Sequence, residues 1–147
     1  MALLTIFLDT SVILSGLASP TGGSALLFRA ADKKRIKLVT TPKVFEEATD
    51  HLSKLSLKSS HLEALMTSSI ITLVPNPTEA MMEKFKPLTI DPDDVHVISG
   101  GAISGADFLL SLDKKHITTT LVQRALRPMR VLSPKQFWKW MRGTIKR

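Results

Sequence analysis

Five short apolar runs punctuate the chain: Leu3 to Leu8, Ile36 to Thr40, Ile70 to Val74, Phe108 to Leu112 and Met129 to Leu132. Continuous apolar runs of this length, bounded by polar residues, predict strands covered on both faces, as in a parallel sheet. The segments between them carry helix signals. A helix is expected from Ser24 to about Lys34, after the breaker-rich loop Ser19-Pro20-Thr21-Gly22-Gly23. Thr41 before Pro42 predicts a cap and first helical position for a helix reaching about Leu55. Further helices are expected over Ser60 to Ser68, Thr78 to Phe85 and Leu121 to Leu126, and after the Ser133-Pro134 start. Asp91-Pro92 opens one more, which runs to about Ser104 and breaks at Gly105. Strands alternating with helices predict a single α/β domain over residues 1–147, three layers deep, with a central parallel sheet.

Periodicity also sorts side chains by face. In the helix after Pro42, Val44, Phe45, Ala48, Leu52 and Leu55 share one stripe at about 100° per residue. Glu47 falls at the edge of that stripe and Glu46 nearly opposite, toward solvent. His51, one turn later, reads as a residue at the core edge. Met81 and Met82 read as packing residues. In the last helix Phe137, Trp138 and Met141 face inward, which leaves Trp140 exposed.

Composition narrows the function classes. The chain has 147 residues, 44% of them hydrophobic and 22% charged, enough for one domain with a core. There is no cysteine, which excludes disulfides and thiolate chemistry. The apolar opening run is short and lacks a basic flank, so neither a signal peptide nor a membrane span is expected, and the expected location is the cytoplasm. The formal charge is +7, and no Asp or Glu follows Asp113. That basic tail suits a polyanionic partner.

Acids sit where the topology would gather them. Asp9 ends the first strand and Asp113 ends the fourth, while Asp91, Asp93 and Asp94 crowd a helix start. Capping and the helix dipole account for acids at that helix start. Ligands of open parallel sheets bind at the carboxyl ends of strands, and Asp9, Glu47, Asp94 and Asp113 would all arrive near that edge. Carboxylates gathered in a cleft repel one another unless a cation neutralises them. Oxygen donors, without Cys or a His pair at helical spacing, suit Mg²⁺ or Mn²⁺. Such a site suits phosphodiester hydrolysis. Ser11 and Ser111 each stand two residues from an acid and could orient it.

The segments FLDTSVILSGL (Phe7 to Leu17), TPKVFEEATDHL (Thr41 to Leu52), DPDDVHVISGGAISGADFLLSLDKKH (Asp91 to His116) and VLSPKQFWKWM (Val131 to Met141) resemble PIN-domain proteins, of the group described as toxin components of toxin–antitoxin systems (VapC-like). The resemblance spans nearly the whole chain. It implies a metal-dependent ribonuclease with Asp9, Glu47, Asp94 and Asp113 as the catalytic and metal-binding acids, and Ser11 and Ser111 as supports. It implies RNA as substrate, an antitoxin protein as a possible partner, and homodimerisation. Asp107 opens the last strand of the site and reads as structural. Ser111 stands where a threonine is usual, and Gly100-Gly101 replaces small alanines. The competing reading is a non-catalytic nucleic-acid-binding or interaction module on the same fold. A phosphoacceptor receiver domain or an Asp-x-Asp phosphatase would need a second acid where Thr10 and Ser11 stand.

Overall fold

The structure is a computed structural model and describes residues 3–145. Its strands are β1 (Thr5–Leu8), β2 (Lys37–Thr40), β3 (Ile71–Leu73), β4 (Phe108–Leu110) and β5 (Arg130–Leu132). Its helices are α1 (Thr10–Ala18), α2 (Gly23–Asp32), α3 (Pro42–Leu52), α4 (Ser59–Thr67), α5 (Glu79–Glu83), α6 (Val95–Ser104), α7 (Thr120–Ala125) and α8 (Pro134–Ile145). All strand pairs are parallel and the sheet order is β3-β2-β1-β4-β5. Helices cover both faces, giving the expected three-layer α/β/α architecture. No single helix among the described residues is long and apolar enough to cross a membrane.

The strand order reverses between β1 and β4. Chain direction moves outward through β2 and β3, then returns to place β4 on the other side of β1. At such a switch point the connections diverge to opposite faces and leave a crevice beyond the strand ends. The register pairs Phe7 with Leu109 and Leu8 with Leu110. One residue further, Asp9 and Ser111 therefore leave the sheet side by side, with Asp9 N–H still donating to Leu110 O at 3.1 Å.

The strands are shorter than their apolar runs, and at the end of β4 a side chain takes the backbone amide. Ser111 and Leu112 belong to a loop, and Leu112 N–H donates to Ser11 Oγ at 3.1 Å. Several start signals operate as the sequence predicts. Thr41 Oγ1 accepts from Val44 N–H, and Ser133 and Gln136 form a reciprocal capping box (2.9 and 3.1 Å). Asp91 caps a 3-10 turn, Pro92–Asp94, through Asp93 N–H at 3.0 Å, and α6 starts only after it. Gly105 ends α6 at φ +74°, a conformation that costs a side chain dearly.

Gly100 and Gly101 are buried, and a Cβ on Gly100 would stand 3.1 Å from Thr41 Cγ2 and 3.3 Å from Phe7 Cζ. They let α6 approach β1 closely. Two expectations change. Trp140 is half-buried, edge-on to Phe108 at 4.9 Å, because α8 lies across the start of β4 and β5. Trp138 also turns inward enough for Nε1–H to donate to Gly23 O at 2.9 Å. Met81 is 43% exposed, since α5 is a short surface helix without buried residues.

The core joins both sheet faces: Phe7, Leu8, Ile13, Leu38, Ile98, Leu109 and Phe137 are fully or almost fully buried. Phe137 meets Phe108 in a T-shaped pair, 5.0 Å between centroids at 84°. Phe137→Ala should cost about 3–5 kcal/mol through lost burial and a residual cavity. Urea unfolding measures it, and a loss below about 1 kcal/mol would mean the site collapses without a void.

Candidate metal centre at the carboxyl edge of the sheet

Asp9 sits on the β1–α1 junction, where it is the N-cap of α1. It is 7% exposed and its carboxylate accepts three hydrogen bonds, which leaves acceptor capacity on Oδ1. Oδ1 accepts from Thr10 N–H at 2.7 Å, and Oδ2 accepts from Ser11 Oγ at 3.1 Å and Ser111 Oγ at 2.6 Å. Burial pushes the Asp9 carboxyl above its usual range, and these three hydrogen bonds pull it back. Ser111 does double duty, since its Oγ also accepts from Asp113 N–H at 3.0 Å.

Asp113 stands two residues beyond the end of β4. Its Oδ1 accepts from Lys115 and His116 N–H, both at 3.0 Å, which fixes the carboxylate plane. Its Oδ2 lies 3.2 Å from His116 Nδ1. The same Nδ1 lies 3.4 Å from Asp94 Oδ2, so His116 bridges the two acids. The 3.4 Å approach lacks hydrogen-bond alignment, and Asp94 Oδ2 is buried with no hydrogen-bond partner.

Asp94 is where the charges concentrate. Its pKa is raised from 3.8 to about 7, by burial first and then by Asp113, Asp91 and Asp9; His116 pulls the other way. Asp9 in turn feels Asp113. Three of the four expected acids thus share one electrostatic site, with Asp91 added. Glu47 is engaged separately: Oε2 accepts from Thr10 Oγ1 at 3.3 Å and Oε1 lies 2.8 Å from His96 Nε2. Glu47 is half-buried and Glu46 exposed, as the helical stripe predicts. His96 is 3% exposed, and burial holds its imidazole below the ordinary range, with Glu47 opposing. His51 is exposed and lies at 2.8 Å from Glu47 O through Nδ1. Asp107 lies at the other end of β4, where Oδ2 accepts from Thr5 N–H at 2.8 Å; its role is to tie strand starts together.

The residues fit a divalent cation. Asp91, Asp94 and His116 can each offer one donor atom, all within 4.8 Å of one another. An unpartnered buried carboxylate oxygen on Asp94 stands in that group. The donors are two carboxylates and an imidazole, so the oxygen-only set gains one nitrogen. Asp91 read as a cap, and it is one, but it also borders this group. His116 and His96 escaped sequence reasoning; the usable signal was the position of each, three residues after Asp113 and two after Asp94.

Protonation follows. A carboxyl whose folded pKa is raised contributes stability below its unfolded pKa, and this is lost as pH rises through the folded value. The metal-free protein should therefore lose thermal stability between about pH 4 and pH 7 because of Asp94. Asp9 contributes with the same sign and His96 with the opposite one. Subtracting the Tm–pH profile of Asp94→Asn isolates Asp94, and a flat difference would show that its carboxyl titrates normally.

Residues 5–115 match the family profile of the PIN domain. The fold is similar to the crystal structure of PAE2754 from Pyrobaculum aerophilum, with a TM-score of 0.59 and 17% identity, over 92% of this chain and 94% of that one. No curated protein matches the sequence.

Proposed function

The chain belongs to the PIN-domain family, and from that premise we propose that it is a metal-dependent endoribonuclease, the toxin component of a toxin–antitoxin pair. PIN domains are typically metal-dependent nucleases, and this chain keeps an acidic group able to hold a metal. The observation that carries the reading is the Asp94 carboxylate: crowded by three other acids, raised to about 7, and with one buried oxygen lacking a partner. A cation beside such a group would favour its anion and relieve the repulsion.

Asp94, Asp91 and His116 have donor atoms spaced to hold the ion, and Asp113 and Asp9, as the resemblance implies, would complete its surroundings; one imidazole in the set tilts the choice from Mg²⁺ toward Mn²⁺. When bound, the ion supplies Lewis-acid stabilisation of charge on the scissile phosphate. The chain's own groups do the rest. Ser11, Ser111 and the Thr10 amide lock Asp9 in one orientation, and two backbone amides lock Asp113. His116 Nδ1 stands between Asp94 and Asp113 and fixes their separation. Glu47, held by Thr10 and His96, adds a fourth carboxylate on the α3 side. Exposed Lys114 and Lys115 follow Asp113 and would attract the RNA backbone. The toxin reading adds a cytoplasmic setting, an antitoxin that places a basic side chain among the acids, and a homodimer.

The test is cleavage of total RNA by the full chain with Mn²⁺ or Mg²⁺, and again with chelator. Cleavage should require the ion and fail in Asp9→Asn. Equal cleavage by wild type and Asp9→Asn, or in chelator, would assign the activity elsewhere.

A further inference from the structure

A second cavity lies at the opposite edge of the sheet. It measures ≈ 860 Å³, against ≈ 540 Å³ for the recess beside Glu47 and His96. Leu4 precedes β1, Asp107 precedes β4 and Arg130 begins β5, and all three line it. In an all-parallel sheet these positions mark the amino edge, while Asp9, Ser111 and Asp113 mark the carboxyl edge. The cavity is therefore separate from the acidic centre.

Its wall has a distinct chemistry. Lys84, Arg127 and Arg130 line it, and none of them forms an ion pair among the described residues. Asp107 is the one acid in the wall, and its Oδ2 is already taken by the Thr5 amide. Two of the cations lie over rings in the same wall: Arg130 Cζ is 5.6 Å from the Trp140 ring centroid and Lys84 Nζ is 5.3 Å from that of Phe85. The remaining surface is mostly apolar.

We propose that this cavity binds a nucleoside phosphate. The volume lies in the range of small-molecule sites. Arg130 covers one face of Trp140 and Phe137 stacks on the ring, so a planar base would stack on the guanidinium plane that Trp140 supports rather than on the ring itself, and arginine forks match phosphate oxygens. A lone carboxylate would use one of the three cations. A phosphate ester, with about two charges and three acceptor oxygens, can use more than one. The source of that chemistry is either a free mononucleotide or the 5′-phosphorylated end of an RNA strand.

Calorimetry on the full chain in chelator tests it, because chelator keeps phosphate from being held through a metal at the acids. AMP should bind saturably, with adenosine and inorganic phosphate each at least roughly tenfold weaker. The double variant Lys84→Ser, Arg127→Ser, at two exposed positions, should weaken AMP at least about tenfold with an unchanged Tm and Mn²⁺ affinity. Asp94→Asn should bind AMP as wild type does. A 5′-phosphorylated oligoribonucleotide binding more tightly than AMP assigns the strand end, and the reverse order assigns the free nucleotide; either upholds the site. No saturable AMP binding at millimolar concentration, equal binding by the double variant, or loss of binding in Asp94→Asn overturns it.

Discussion

Asp94→Asn should lower metal-dependent RNA cleavage by on the order of 10²–10³-fold and, at pH 8 without metal, raise the melting temperature. The two effects have one cause. At pH 8 the Asp94 carboxyl, whose pKa is about 7, is ionised among Asp113, Asp91 and Asp9. Asn keeps the shape and removes the charge, which relieves repulsion in the metal-free protein and removes a donor from the metal-bound one. With saturating Mn²⁺ the order of melting temperatures should reverse, because binding stabilises only the protein that binds. Parallel melting curves with and without Mn²⁺ check this. A variant that is destabilised in both conditions would mean that Asp94 serves the fold rather than the ion.

Ser111→Ala should lower cleavage by about 10–100-fold, the usual cost of removing a partner that orients a metal-binding side chain. It should also cost roughly 1–3 kcal/mol, because a buried carboxylate loses a donor. Ser111 is fully buried. Its Oγ donates to Asp9 and accepts from the Asp113 amide, so one substitution loosens two acids. Ser111→Thr retains the hydroxyl and should keep most activity. Rescue by threonine separates this orienting role from simple packing; if Ser111→Ala cleaves as wild type, Asp9 is held well enough by Ser11 and Thr10 alone.

The sheet was legible because each strand is an apolar run with few alternatives, and Pro-headed helices announced their own starts. What stayed hidden lay where side chains override pattern. The continuous run to Leu112 overstates β4 by two residues: Ser111 N–H still donates to Leu132 O, but its hydroxyl turns to Asp9 and the Leu112 amide is taken by Ser11. Helix α1 follows β1 after a single residue and is apolar nearly all round, so periodicity could not show its start; Asp9 caps it directly. At the site, Asp9 and Asp113 could be placed from strand ends alone. The imidazoles could not, because a histidine's partners depend on which turn faces the crevice. His96 reaches Glu47 and His116 bridges Asp94 and Asp113 only once α6 and the loop after β4 are folded together. Trp140 is half-buried because α8 crosses the sheet edge, where Phe108 and Arg130 cover both its edge and its face.

The most direct measurement is a Mn²⁺ titration of the full chain by calorimetry at pH 8 and pH 6, in buffers of different ionisation enthalpy. Saturable binding that weakens at pH 6, releases protons there, and disappears in Asp94→Asn is the predicted result. Mn²⁺ that binds Asp94→Asn as tightly as wild type, or binds neither, would contradict the assignment of these acids to a metal.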